Sequence, residues 1–235
     1  MGLKQMLTVG CVTLFFSSVV LWYATHKEND VWCSQAPGTP VLILDAGHGG
    51  EDGGAVSLSG YKESDINLSI VRKLDSIISL YQRPPVLTRW EDVSLHDEAA
   101  QTLRDKKASD LKNRAVLIEA VPHATLLSIH QNSFQSPSVS GFQAFYRAEE
   151  ESQQLAELIQ EAMKETLEPH NKKKAKEIPE HVYLMHHISC SAVLLECGFL
   201  TNPEDERKLL DPDYQKRLAA VVSSVWLQSI QKENM

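Results

Sequence analysis

The stretch that most limits what this chain can fold into is residues 41–50, VLILDAGHGG. Val41, Leu42, Ile43 and Leu44 are apolar in unbroken succession. A strand made from them has no polar face, so it must be covered on both sides, as parallel-sheet strands are. Asp45 ends the run, and Ala46-Gly47-His48-Gly49-Gly50 then turns the chain with one imidazole and almost no other side chain. Glycines permit positive φ and let another group come close. A loop on a rigid strand end also holds a side chain accurately. The pattern predicts His48 at the rim of a sheet, with open space around it.

The same construction recurs. Residues 125–129 (TLLSI) read as a buried strand ending at His130, and residues 192–195 (AVLL) as another ending at Glu196. Between these lie helical periods. Residues 64–80 carry Ile66, Ile70, Leu74 and Ile77/Ile78 on one stripe. Residues 111–120 do so through Leu111, Ala115 and Ile118, residues 149–167 through Leu155, Leu158, Ile159, Ala162 and Met163, and residues 212–230 through Leu218, Val221, Val222 and Val225. Asn202 as N-cap, Pro203 at the first helical position and the acidic Glu204 and Asp205 mark a further helix start. Shorter strands are expected at 86–88, 142–146 and 182–185. Residues 91–109 are charged and lack a period, which fits a functional flap or a solvated excursion.

With 235 residues and 43% hydrophobic content, the chain suits one α/β domain with a sizeable core. A net charge of −8 argues against a nucleic-acid binder, which would show a basic face. Residues 6–24 carry no charge and approach the ~20 residues that a membrane helix needs. No A-x-A cleavage site follows them. Residues 1–26 therefore read as an uncleaved signal anchor, residues 27–39 as a linker and residues 40–232 as the folded domain. Cys11 falls in the anchor and Cys33 in the linker. Cys190 and Cys197, on either side of a strand, are too far apart to bridge and read as small buried hydrophobes.

His48 and His130 end two strands, and Glu63 opens the helix between them. In open parallel sheets, sites gather outside the carboxyl ends of the strands. Two imidazoles and a carboxylate match the three protein ligands of many zinc enzymes, whose fourth position goes to water. Glu63 taken alone could simply complement the helix dipole. Glu196 at a buried strand end needs a partner, either in a salt bridge or as a base beside a metal. His186 and His187 have nothing paired with them at metal spacing. The basic run at residues 171–176 reads as a solvated turn or as a contact for an anionic substrate.

Four motifs in order, DAGHGG with His48, Glu63-Ser64-Asp65-Ile66-Asn67-Leu68, Ser128-Ile129-His130-Gln131-Asn132, and Leu194 to Pro203 (LLECGFLTNP), resemble the zinc-dependent N-acetylmuramoyl-L-alanine amidases of bacterial cell walls. The likeness spans residues 40–232. The basic run and the N-terminal segment look most like the germination-specific, spore-cortex branch. The resemblance implies a mostly parallel twisted sheet flanked by helices. It also implies Zn²⁺ on His48, Glu63 and His130, Glu196 as the catalytic glutamate, and cleavage of the amide between the muramic lactyl group and L-alanine. Asp45 would orient a ligand histidine or cap a helix; Asn132 and Lys174 are further candidates for supporting the ligands or touching substrate. Ala46 departs from a proline common in the family, and an arginine often seen near the basic run is missing.

Peptidoglycan is then the expected partner, with the membrane reached through the N-terminal segment, no nucleic acid, and room for an activating protein. The expected location is the cell envelope, outside the cytoplasm, anchored or secreted, with the forespore implied by the spore-cortex likeness. Two other readings stand beside this one. The same metal chemistry could serve a zinc peptidase or deacetylase, and a degenerate form could be a tethered wall-binding domain. Retention of all three ligands plus Glu196 speaks against the last.

Overall fold

The three apolar runs form the middle of a six-stranded sheet in a computed structural model that describes residues 40–232. The anchor, the linker, Cys11 and Cys33 lie outside the described residues. In chain order the strands are β1 (Val41–Ala46), β2 (Val86–Leu87), β3 (Ala124–Asn132), β4 (Gln143–Tyr146), β5 (Lys176–Glu177) and β6 (Ser191–Phe199). Their order across the sheet is β2-β1-β3-β6-β4-β5. The pairs among β2, β1, β3 and β6 are parallel; β4 runs antiparallel to β6, and β5 parallel to β4.

The helices are α1 (Glu63–Ser79), α2 (Leu103–Glu119), α3 (Glu150–Thr166), α4 (Tyr183–His186), α5 (Pro203–Leu210) and α6 (Pro212–Lys232). Strand side chains alternate between two faces, and each face has its own core. Leu42, Leu44, Leu127, Ile129, Val193 and Leu195 meet α1, α3 and α6 through Ile70, Leu155, Leu218 and Trp226. On the opposite face Ile43, Leu126, Ala192 and Leu194 meet α2 and α4 through Ala115, Ile118, Leu184 and Met185. Helices on both faces explain why the central strands carry no polar face. At the start of α5, Asn202 Oδ1 accepts from the backbone N–H groups of Glu204 and Asp205, with Pro203 at the first helical position. Among the described residues, no helix is long and apolar enough to cross a membrane.

Three expectations change. Residues 182–185 are not a strand: residues 183–186 form the single helical turn α4. The sheet position beside β4 is taken by β5. The later segment instead drops Leu184 and Met185 onto the second core, while Tyr183 stacks on His187 one turn along, with ring centroids 3.7 Å apart. Second, α2 starts at Leu103, capped by Thr102 Oγ1 accepting from Asp105 N, so the charged segment is in part helix. Its first two turns project into solvent, where no apolar stripe is needed, and its first buried residue is Asp110. Third, His130 and Glu196 sit inside β3 and β6 rather than at their ends. The two strands stay paired to Asn132↔Phe199, across an irregularity between His130 and Asn132. Cys197 is buried as expected, Cys190 is half-buried, and both are free thiols.

Ile70 is fully buried where α1 meets the sheet. Truncation there removes packed methylenes and leaves a cavity. We expect Ile70→Ala to lower unfolding free energy by about 2–5 kcal/mol, with an unchanged urea m-value.

Candidate metal centre

Parallel pairing places the site before any ligand is considered. Asp45 pairs with Ser128, and His130 pairs with Glu196. His130 and Glu196 are therefore direct neighbours on the α2/α4 face, at the C-terminal end of the sheet. Just past β1, His48 follows Gly47. A Cβ on Gly47 would fall 2.2 Å from His130 Cε1, so only a glycine lets that ring lie against the turn. His48 has φ +63°, a left-handed conformation that costs a non-glycine residue energy.

Glu63 comes from the opposite helical layer. It is the first residue of α1 and its carboxylate reaches over the sheet end. His130 Nδ1 lies 3.0 Å from Glu63 Oε1, and His48 Nε2 lies 3.3 Å from Glu63 Oε2. The two imidazoles meet edge to face, with centroids 5.1 Å apart. One donor atom from each of His48, Glu63 and His130 fits within 4.8 Å of the others, a separation one cation can span. The carboxylate is buried and closely held. Gln131 N donates to Oε1 at 3.1 Å and Ala55 N to Oε2 at 2.9 Å. Asn67, itself held by Gln131 Nε2, adds a longer contact to Oε1.

The electrostatics favour positive charge here. Burial by itself would lower the His48 pKa, but Asp52 and Glu63 overcome it and raise it to about 9. Burial opposes ionisation of Glu63 as well, yet His130 and His48 hold it far below the usual carboxylate range. A site this rich in anionic partners holds a proton when nothing else is there. A divalent ion would displace that proton, as metal binding to histidine does. Glu196 contrasts with Glu63. Its Oε2 is buried and has no hydrogen-bond partner among the described residues. Burial pushes its pKa up to about 7, with Glu63 adding to the rise and His130 opposing it. The donor set and this unpartnered oxygen fit a metal with a base beside it. They do not fit a salt-bridged structural carboxylate.

Two buried arginines hold the loop that presents His48. Arg114 Nη1 donates to Asp45 Oδ1 at 2.6 Å and to Ala46 O at 2.9 Å, Nη2 donates to His48 O at 2.7 Å, and Nε donates to Asp110 at 2.7 Å. Arg89 donates to Ala46 O, Gly47 O and Ser64 O. The loop's consecutive carbonyls thus point inward and its imidazole outward. Residues 91–109 brace it from outside: Asp92 Oδ1 accepts from Gly50 N at 2.8 Å, and Lys106 pairs with Glu51 at 2.5 Å. The charged segment is solvent-exposed over most of its length and is tied to the loop through these two contacts.

The remaining sequence candidates sit elsewhere. Asp45 bonds Arg114, Thr88 and Ser128 rather than either imidazole. Burial would raise its pKa, but Arg114 and Ser128 hold it at about 2. Asn132 Oδ1 accepts from Ser133 N. Lys174 is exposed, and it is Lys173 that turns inward, donating to Ser140 O and Gly141 O and lying over the Phe199 ring at 4.2 Å. His186 and His187 are exposed and bond Pro179 O and Tyr183 O. A cleft of about 350 Å³ opens over His48, His130 and Glu196, with Leu111, Tyr183 and Met185 among the residues lining it. Sequence reasoning missed Asp52, Arg89 and Arg114. The spacing of Asp52, four residues after His48 across a glycine pair, is a local signal. Asp110 and Arg114, four residues apart on one helix, leave a local pairing signal, but the contacts of both arginines to the His48 loop span 42 to 69 residues and leave none.

Comparison with known proteins gives concordant results. A family model described as N-acetylmuramoyl-L-alanine amidase matches residues 42–225. The germination-specific N-acetylmuramoyl-L-alanine amidase of Bacillus subtilis is 32% identical over 217 residues, covering 91% of this chain and 89% of that protein. The CwlD amidase of Clostridioides difficile, solved in complex with the GerS lipoprotein, superposes with a TM-score of 0.77 at 35% identity, covering 82% of this chain and 98% of that one. A second N-acetylmuramoyl-L-alanine amidase, from Clostridium difficile 630, gives a TM-score of 0.71 at 27% identity, covering 83% of this chain and 98% of that one.

Gly47 offers a clean steric test, because its backbone is not in the positive-φ region. We expect Gly47→Ala to fold, yet to bind added Zn²⁺ at least about tenfold more weakly, since the new methyl displaces His130 from a geometry that tolerates little error. Chelator competition and a melting curve on the same sample check it.

Proposed function

This chain belongs to the N-acetylmuramoyl-L-alanine amidase family, and from that premise we propose a zinc-assisted cleavage of the amide between the lactyl group of N-acetylmuramic acid and L-alanine, with Glu196 as the general base. His48, Glu63 and His130 would hold the ion through two neutral imidazoles and one carboxylate, leaving net positive charge. Bound zinc supplies Lewis acidity toward a water and an amide carbonyl oxygen.

The chain's own residues do the rest. Glu196 Oε2 is the group that takes a proton from the attacking water and returns it to the nitrogen of the departing L-alanine. The observation that carries this role is the burial of that oxygen without a hydrogen bond, next to His130 across the β3/β6 pair. Burial raises this carboxyl above the usual carboxylate range, which makes it hold a proton better than an exposed glutamate and suits its return to the leaving nitrogen. The hydrogen bonds that fix Glu63 keep it ionised and aimed at both imidazoles. The arginine-held carbonyls fix the backbone under His48, so little reorganisation accompanies the reaction. Leu111, Tyr183 and Met185 give the cleft an apolar wall against which a substrate peptide can lie.

The likeness to a germination-specific amidase supports spore-cortex peptidoglycan as the substrate, with peptide removal as one step toward muramic-lactam formation. By the same reasoning the enzyme works outside the cytoplasm, in the cell envelope and at the forespore. The relative solved with a lipoprotein supports an activating protein partner.

Glu196→Gln should retain one zinc per chain by metal analysis while kcat on peptidoglycan falls at least about 100-fold. Loss of zinc together with activity would make Glu196 a ligand instead. The wild-type digest should release peptides with a free N-terminal L-alanine, identified by mass spectrometry. A peptidase or deacetylase would leave that bond intact.

A further inference from the structure

His48 carries a hydrogen bond on the side away from Glu63. Its Nδ1 lies 2.9 Å from Asp52 Oδ2, four residues on. An ionised carboxylate only accepts, so Nδ1 carries a proton toward Asp52, and the proton that a metal would displace from His48 is the one on Nε2. Nε2 is the nitrogen that faces Glu63, at 3.3 Å. The position of Asp52 does not depend on this bond. Its backbone is tied to Gly49 in both directions, Gly49 N to Asp52 O at 2.8 Å and Asp52 N to Gly49 O at 3.2 Å, and Gly54 N donates to its Oδ1 at 3.2 Å. Glycine at 49 and 54 allows both tight connections, with φ of +142° and +68°. The result is a small ring of backbone just after His48 that presents a carboxylate to one nitrogen of its imidazole.

We infer that Asp52 is a positioning residue: through its bond to Nδ1 it sets the tautomer and ring orientation of His48, so that Nε2 is offered to the metal. The inference rests on the zinc reading of His48, Glu63 and His130. Carboxylates that accept from the far nitrogen of a ligand histidine raise its basicity and fix its ring, and their loss weakens metal binding about 10–100-fold. A competing role exists. Lys107 Nζ from α2 lies 3.3 Å from the same Oδ2, so Asp52 could serve as a tie between the loop and α2 and nothing more. The two roles differ in what each substitution removes. Asp52→Ala removes both contacts, Lys107→Gln removes only the tie, and Asp52→Asn keeps an amide oxygen that still accepts from Nδ1–H.

The test is zinc affinity of the full-length chain by competition with a chromogenic chelator, alongside thermal unfolding of the metal-free proteins. We expect Asp52→Ala to bind zinc about 10–100-fold more weakly, Asp52→Asn to fall between it and wild type, and Lys107→Gln to stay within about threefold of wild type. The metal-free melting temperatures of Asp52→Asn and Lys107→Gln should lie within a few degrees of wild type, which keeps the comparison valid even if Asp52→Ala folds poorly. Equal losses in Asp52→Ala and Lys107→Gln, or wild-type affinity in both Asp52 variants, would overturn the positioning role. His48→Ala separates this from the wider reading: if it binds zinc as wild type does, the ligand set itself fails and the inference falls with it.

Discussion

A guanidinium buried at the end of the sheet holds this architecture to one loop geometry. Arg114 is enclosed by Asp45, Asp110 and the carbonyls of Ala46 and His48. Taking a charge out of water costs several kcal/mol unless every donor finds an acceptor. The loop after β1 supplies those acceptors only when its carbonyls turn inward, and in that arrangement the His48 side chain projects the other way. Loss of either partner of such a pair leaves a bare charge inside, at about 3–5 kcal/mol. The loop is therefore tied to the stability of the domain, and the left-handed φ of His48 is sustained by that tie.

The centre draws on both helical layers. Glu63 belongs to α1, whose apolar stripe packs on one face of the sheet, while His130 and Glu196 point from the other. The carboxylate crosses because α1 begins level with the strand ends. The two glutamates, chemically alike, diverge through environment alone. Glu63 is saturated with donors and stays ionised; Glu196 is desolvated, its Oε2 without a partner, and is pushed to about 7. Environments that push the pKa values of neighbouring acids apart suit them to different roles.

Much of this was legible before any coordinates. Unbroken apolar runs identified β1, β3 and β6, because strands covered on both sides must be apolar on both sides. Helical stripes identified α1, α3 and α6 for the same reason. Residues 182–185 misled because a short apolar run carries no period of its own, and its fate depended on β5 already holding the edge. The polar first turns of α2 were silent, since a solvated helix start needs no stripe. The three side chains that converge, His48, Glu63 and His130, could be picked out because each lies at or near the end of a strand or helix. Arg89 and Arg114 could not, because a charged residue shows its burial only when the fold brings distant acceptors around it. Asp45 was given the wrong partner for a related reason: its register neighbour is Ser128, and Arg114 arrives from far along the chain.

The sheet's outermost strands, β2 and β5, are two residues long, while the strands between them run from four to nine. A long exposed border of unpaired amides and carbonyls invites a stray strand to zip onto it, which is how sheets recruit one another into aggregates. Here the border is too brief to template such pairing. The apolar central strands are thus shielded laterally by stubby margins, which leave little edge onto which another copy could zip.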